Sequence, residues 1–208
     1  MNPLNPEAGD TPAPSDPALL AIAERSAAVV WRAVPYFGWR FSGRGRAFGR
    51  SDAGYLLTLP LAGDHAAHKQ VAWLAGVLAP RGLPSLLLEL QLEHLGRIAR
   101  RRARAEATML LALAASLRDR RVAALDPEVF SRCEELCRRA AAGARQRRGA
   151  GLLIASAVAD GANGLGEHAE ALVRWLTEAC PGEEPWAAAC AQAHRLAMSR
   201  LTVRGGAP

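Results

Sequence analysis

An all-α fold follows from three observations on the chain. Ala and Leu dominate while Val, Ile and Thr are scarce, a balance that favours helix over sheet. Apolar residues recur at three- and four-residue spacing, as in Leu20, Ala23, Ala27, Val30 and Val34. Prolines stand where those segments begin or stop, at Asp16-Pro17, Pro35, Pro84, Asp126-Pro127 and Pro185. The expected architecture is a bundle of about seven to eight helices with short connections. With 208 residues, half of them hydrophobic, the chain is long enough for one substantial core. It reads as a single helical domain over residues 17–204, with possible halves 17–125 and 126–204.

Residues 1–16 carry Pro3, Pro6, Pro12 and Pro14 among small polar residues and read as a disordered tail. Asp16 caps the first helix, Pro17 occupies its first position, and Pro35 stops it. The next stretch, Pro35 to Arg50, packs four glycines and four arginines among aromatic residues and reads as a loop. Ser51 or Asp52 would cap a short helix ending near Pro60, and Asp64 one running through Leu78. From Pro84 the pattern continues without proline to Asp126, too long for one ordinary globular helix, so a bend or a break near Arg101–Ala105 is expected. Asp126-Pro127-Glu128 is a strong start for a helix reaching about Arg145. Leu152–Ala159 is an apolar helical stretch, and two further helices cover roughly 167–179 and 185–201 before a frayed Gly-Gly-Ala-Pro end.

One pattern nearly recurs, the copies differing by one residue between Trp and the first Pro and by one between the second Pro and His. Trp73-Leu74, Pro80, Pro84, Leu90, His94 and Ile98 correspond to Trp175-Leu176, Pro181, Pro185, Cys190, His194 and Met198. This is a weak internal duplication of a helical hairpin. His94 and His194 fall on apolar helix faces. Two such imidazoles facing one cavity would suit a haem or a transition metal, whereas two partly buried, hydrogen-bonded histidines would serve the core. His65 and His68 share a helix face, as do Glu89 and Glu93, yet neither the repeated Glu-x-x-His di-iron signature nor His-Glu-x-x-His is present. Those carboxylates read instead as a solvated face with Arg97 and Arg100.

The net charge is +6, and Lys69 is the single lysine among 26 basic residues. In the Tyr36–Arg50 segment, glycine amides with Arg40, Arg44, Arg46 and Arg50 would receive an anion. Equally, Tyr36, Phe37, Trp39, Phe41 and Phe48 would dock on the bundle while the arginines stack on rings or pair with carboxylates. Two arginine runs, Arg97–Arg104 and Arg138–Arg148, suit nucleic acid or another acidic surface, though Asp119, Glu134 and Glu135 dilute their charge. Cys133 and Cys137 lie one helical turn apart, not at redox spacing, and read as small buried residues.

The N-terminal stretch has neither a basic start nor an apolar core, and no apolar run approaches the ~18–20 residues of a spanning helix, so a cytoplasmic setting is expected. No nucleophile–base set is assembled. The chain therefore reads as a non-catalytic binding or regulatory module. Its surfaces would be the groove between the two Trp-containing segments, with Trp73 and Trp175, and the Tyr36–Arg50 segment. The partner would be a protein or a small ligand, with self-association open. The alternatives are a cofactor or metal protein using His94 and His194, with His65 and His68, and a nucleic-acid binder using the arginine runs.

Overall fold

The computed structural model describes residues 2–202; Val203 and Arg204 of the domain, and the Gly-Gly-Ala-Pro end, lie outside the described residues. Nine α-helices follow one another among the described residues, and no strand occurs there. They are α1 (Pro17–Ala33), α2 (Pro35–Thr58), α3 (Asp64–Leu78), α4 (Ser85–Ala99), α5 (Arg104–Ala124), α6 (Pro127–Ala140), α7 (Ala150–Ala162), α8 (Ala169–Glu178) and α9 (Glu184–Ser199). Short 3₁₀ turns lie at Pro6–Ala8, Leu59–Ala62, Ala79–Arg81 and Arg145–Arg147. The helix count exceeds the expected seven to eight because the long segment after Pro84 is two helices, broken at residues 100–103. No described helix is long and apolar enough to cross a membrane.

Two compact units divide the chain discontinuously, whereas the sequence suggested halves meeting near residue 125. The first unit takes the chain up to Trp73 together with Leu87–Ser116. The second takes Leu74–Leu86 together with the described residues from Leu117 onward. Residues 74–86 join the later part of the chain because the start of α4 is held from α7. Asp160 Oδ2 accepts from the Ser85 N–H at 2.7 Å, Asp160 Oδ1 from the Ser85 hydroxyl at 2.5 Å, and Ser156 Oγ from the Leu86 N–H at 3.3 Å. Those orphan donors at a buried helix start would otherwise go unpaired.

In the first unit, α1 begins as its sequence indicates, with Asp16 Oδ1 accepting from the Ala18 N–H at 2.8 Å. Its buried face, Ile22, Ala23, Ala27 and Val30, packs on α2. Two expectations fail here. Residues 2–14 do not form a disordered tail. Asn2 closes them into a compact loop, its Oδ1 accepting from Leu4 N–H at 2.9 Å and its Nδ2 donating to Thr11 O at 2.9 Å. Leu4 is buried against Gly54, where an added Cβ would come within 2.5 Å of its Cδ1. Proline count suggested disorder, but one apolar anchor and two well-placed asparagines outweigh it.

The second failure is the glycine- and arginine-rich loop. Pro35 starts α2 rather than merely stopping α1, since its fixed φ suits a first helical position. Helix then covers Pro35–Thr58, so neither Ser51 nor Asp52 starts a separate one; the single non-helical residue inside is Ser42, at φ 50° and ψ −156°. Further on, α4 and α5 cross closely at Gly96, where a Cβ would sit 2.8 Å from Leu111 Cγ.

In the second unit, α6 starts on Asp126, whose Oδ1 accepts from the Glu128 N–H at 2.7 Å. It ends at Ala140 rather than near Arg145, because Ala142 and Gly143 turn to φ 48° and 81°. Glu134 caps α7 by accepting from Gly149, Gly151 and Leu152 N–H groups at 2.9, 3.1 and 3.4 Å. Gly151 is required there: a Cβ would lie 2.2 Å from the Cys133 carbonyl oxygen. Cys133, Cys137 and Cys190 are fully buried between α6 and α9, as small core residues. Cys133 Sγ donates to Ala193 O at 3.3 Å, and burial pushes its thiol up to about 11. Hydrogen bonding to Cys190 and burial push the Cys137 thiol higher still.

Candidate functional site

The aromatic and arginine residues of α2 separate into a set that stacks or pairs within the unit and a set that does not. Tyr36 is 1% exposed and meets Phe41 edge-on at 6.3 Å, while Phe37 stacks on Trp31 of α1 at 5.9 Å. Arg40 lies over both rings of the first pair, 6.0 Å from Tyr36 and 5.6 Å from Phe41. Burial raises the Tyr36 phenol above its ordinary range, against the opposing charge and hydrogen bond of Arg40. Arg44 lies 5.6 Å over Phe48 and its Nε donates to Glu7 at 3.2 Å. Trp39 is half-buried. So Arg40 and Arg44 stack and pair within the unit, the second of the two roles open to them from the sequence.

Arg46 and Arg50 do otherwise. Beyond the break at Ser42 they stand one helical turn apart, exposed, on the rim of a cavity of about 420 Å³ between α1 and α2. Ala27, Ala28, Ala47 and Gly43 line it, with Glu24 the single carboxylate. Among the described residues, neither guanidinium has a hydrogen-bond or ion-pair partner. Gly45 makes this packing possible, since a Cβ there would fall 2.4 Å from Phe41 Cβ and 3.3 Å from Trp31 Cη2. Of the four glycines that imitate a loop in the sequence, Gly45 serves a close helix contact, while Gly43 and Gly49 face open space.

A second cavity, about 350 Å³, lies among α7, α8 and α9. Its walls are small or apolar (Ala157, Val158, Gly161, Ala169, Met198), with Glu167, Glu170 and His194 as its polar groups. His194 makes no hydrogen bond among the described residues. The other candidate histidines differ. His94 Nδ1 is 2.8 Å from Leu90 O on its own helix, and His68 Nδ1 is 3.0 Å from Asp64 O and 3.4 Å from its carboxylate. His65 is exposed. His94 belongs to the first unit and His194 to the second, as do Trp73 and Trp175 respectively. Among the described residues, no three His, Cys, Asp or Glu side chains converge to hold a metal ion.

Glu89 was expected on a solvated face and is buried instead, while Glu93 pairs with Arg97 at 3.0 Å, the anticipated four-residue spacing. The residues that sequence reading passed over are Glu24, Glu167 and Glu170, each an isolated acid in a helical pattern. Nothing short of the fold marks them as cavity walls. Comparison with family models, with curated proteins and with solved structures yields no match to this chain.

Proposed function

We propose that this chain is a non-catalytic helical binding module of the cytoplasm, acting in regulation or assembly, that receives an anionic group of a protein or small-ligand partner at Arg46 and Arg50. One observation supports this above the rest: two guanidiniums without carboxylate partners among the described residues project over an alanine-floored cavity. A guanidinium is always charged and offers a fixed fork of donors matched to carboxylate or phosphate. Glu24 at the opposite wall would orient such a ligand by repulsion. Arg40 and Arg44, tied to rings and to Glu7, act as the frame that holds the second half of α2 in place.

The test is binding of a labelled oligo-glutamate peptide and of inorganic phosphate at low ionic strength. Arg46→Glu with Arg50→Glu replaces attraction by like-charge contact and should weaken binding by about tenfold or more. Arg44→Glu, by contrast, breaks the contact with Glu7 and should lower stability before it alters affinity. Equal affinity of wild type and the double variant at low salt would remove this assignment.

A further inference from the structure

The two arginine runs look alike in sequence and end differently in the fold. In the second run, Arg138 and Arg139 share Glu135 at 2.7 and 2.6 Å. Arg147 is buried, paired with both carboxylate oxygens of Glu183 and set 5.0 Å over the Trp186 ring. The second run is thus largely spent on the protein's own carboxylates. In the first run only Arg97 is so occupied, by Glu93. Arg100, Arg101, Arg102 and Arg104 are all exposed at the turn from α4 to α5, and none has a side-chain partner among the described residues.

That corner is anchored from within. Ala99, Ala103 and Ala107 are buried at four-residue spacing, and Ala99 O accepts from both Arg102 and Ala103 N–H groups, at 2.9 and 2.8 Å. The alanines face inward and the arginines take the outer positions of a short, fixed turn. Arg104 is also the first residue of α5, where the positive end of the helix dipole disfavours a cation. Four like charges beside that dipole repel one another, with Glu106 the carboxylate in the first turn of α5, and an external polyanion would relieve the repulsion that solvent and salt leave unscreened.

We infer that the Arg100–Arg104 corner is a contact surface for the phosphodiester backbone of a nucleic-acid duplex, independent of the Arg46–Arg50 cavity. Guanidinium forks bind phosphate oxygens and release condensed counterions. The corner carries no aromatic side chain to stack an unpaired base, which selects duplex over single strand. It exposes no large apolar side chain either, since those exposed among the described residues are Leu61, Trp73, Val122 and Met198, so it has nothing to insert into a bilayer. Sequence is not read there; the contact positions the protein on the backbone.

The experiment is fluorescence anisotropy with a mixed-sequence DNA duplex of about 20 base pairs over a salt series starting near ~50 mM. Wild type should bind, with affinity falling steeply as salt rises. The quadruple variant R100Q/R101Q/R102Q/R104Q, all at exposed positions, should lose about tenfold or more at low salt, and its log–log salt slope should shrink by about 3–4. R138Q/R139Q, whose guanidiniums are already paired with Glu135, should change affinity by less than about twofold. Circular dichroism confirms that each variant keeps its helicity. The inference is overturned by no retention of duplex at low salt, or by an unchanged quadruple variant. Binding to phosphatidylserine vesicles or to oligo-glutamate that exceeds duplex binding and is lost in the quadruple variant overturns it as well, by assigning the corner to a membrane or an acidic protein.

Discussion

Two segments share an order of Trp, two prolines and His at nearly the same spacing, and both fold as helix, turn and helix: α3 to α4, and α8 to α9. At the position after the second proline they diverge. The first has Ser85, a small hydroxyl held against the buried Asp160 carboxylate. The second has Trp186, 0% exposed, its Nε1 donating to Leu176 O at 2.9 Å and its ring under Arg147. The same backbone plan is therefore fastened by a buried carboxyl group in one place and by a buried aromatic ring with a cation in the other. The histidines also diverge, because Pro84 and His94 are ten residues apart but Pro185 and His194 only nine. One residue turns a helix by about 100°. Relative to its helix start, His194 therefore presents on a different side from His94. A shared spacing in sequence does not imply a shared site.

The largest expected effect separates the two fastenings. Trp186→Ala removes a large side chain from the core and leaves Arg147 without its ring, and should cost about 3–5 kcal/mol. Ser85→Ala deletes one donor to Asp160 but keeps the backbone N–H, and should cost about 1–2 kcal/mol. Urea unfolding of both variants measures the difference. If the two costs were equal, the distinction between an aromatic and a hydrogen-bonded fastening would be lost.

The next effect is one of sign. Burial raises the Asp160 carboxyl above its ordinary range, and the Ser85 donors and the charges of Arg121 and Arg120 only partly oppose this. The folded state then holds a proton that the unfolded chain releases, so the contribution of Asp160 falls as pH rises above about 4 toward its raised folded pKa. Glu183 is displaced the other way: its hydrogen bond to Arg147 lowers its pKa, so its contribution is present above the ordinary Glu range and is lost as pH falls through the lowered value. The stability difference between wild type and D160N should therefore shrink with rising pH across the weakly acidic range. That between wild type and E183Q should shrink with falling pH. Parallel trends would mean that one electrostatic environment serves both fastenings.

Local signals were legible and long-range ones were not. Asp16-Pro17 and Asp126-Pro127 announce their helices because a cap and a preset φ act within a few residues. The break between α4 and α5 was legible too, from length alone. Nothing local connects Ser85 with Asp160, or Arg147 with Glu183; each partner is an ordinary helix-surface residue until the fold brings it in. The misreading of α2 has a different cause. Its glycines read as chain freedom, whereas Gly45 lies in the helix where a Cβ would fall 2.4 Å from Phe41 Cβ and 3.3 Å from Trp31 Cη2. The cavity at Arg46 and Arg50 inherits that ambiguity: the charged residues are visible in the sequence, but not which pair stacks on rings within the unit and which has no hydrogen-bond or ion-pair partner among the described residues.

The smallest effect concerns the histidines, and it turns on what each ring touches. His94 is half-buried and bonded through Nδ1 to Leu90 O, so His94→Ala removes both packing and a hydrogen bond and should cost about 1 kcal/mol. His194 lines an open cavity and, among the described residues, bonds to nothing, so His194→Ala should stay within about 0.5 kcal/mol of wild type. Both are read from urea unfolding at neutral pH. The expected order depends on the one-residue difference in spacing. Shortening the first segment by one residue between Pro84 and His94 should turn its ring away from the present contacts and bring the two costs together. The reverse order in the unaltered chain would mean that His194 is the structural histidine, and that its cavity is closed in solution by contacts this conformation lacks.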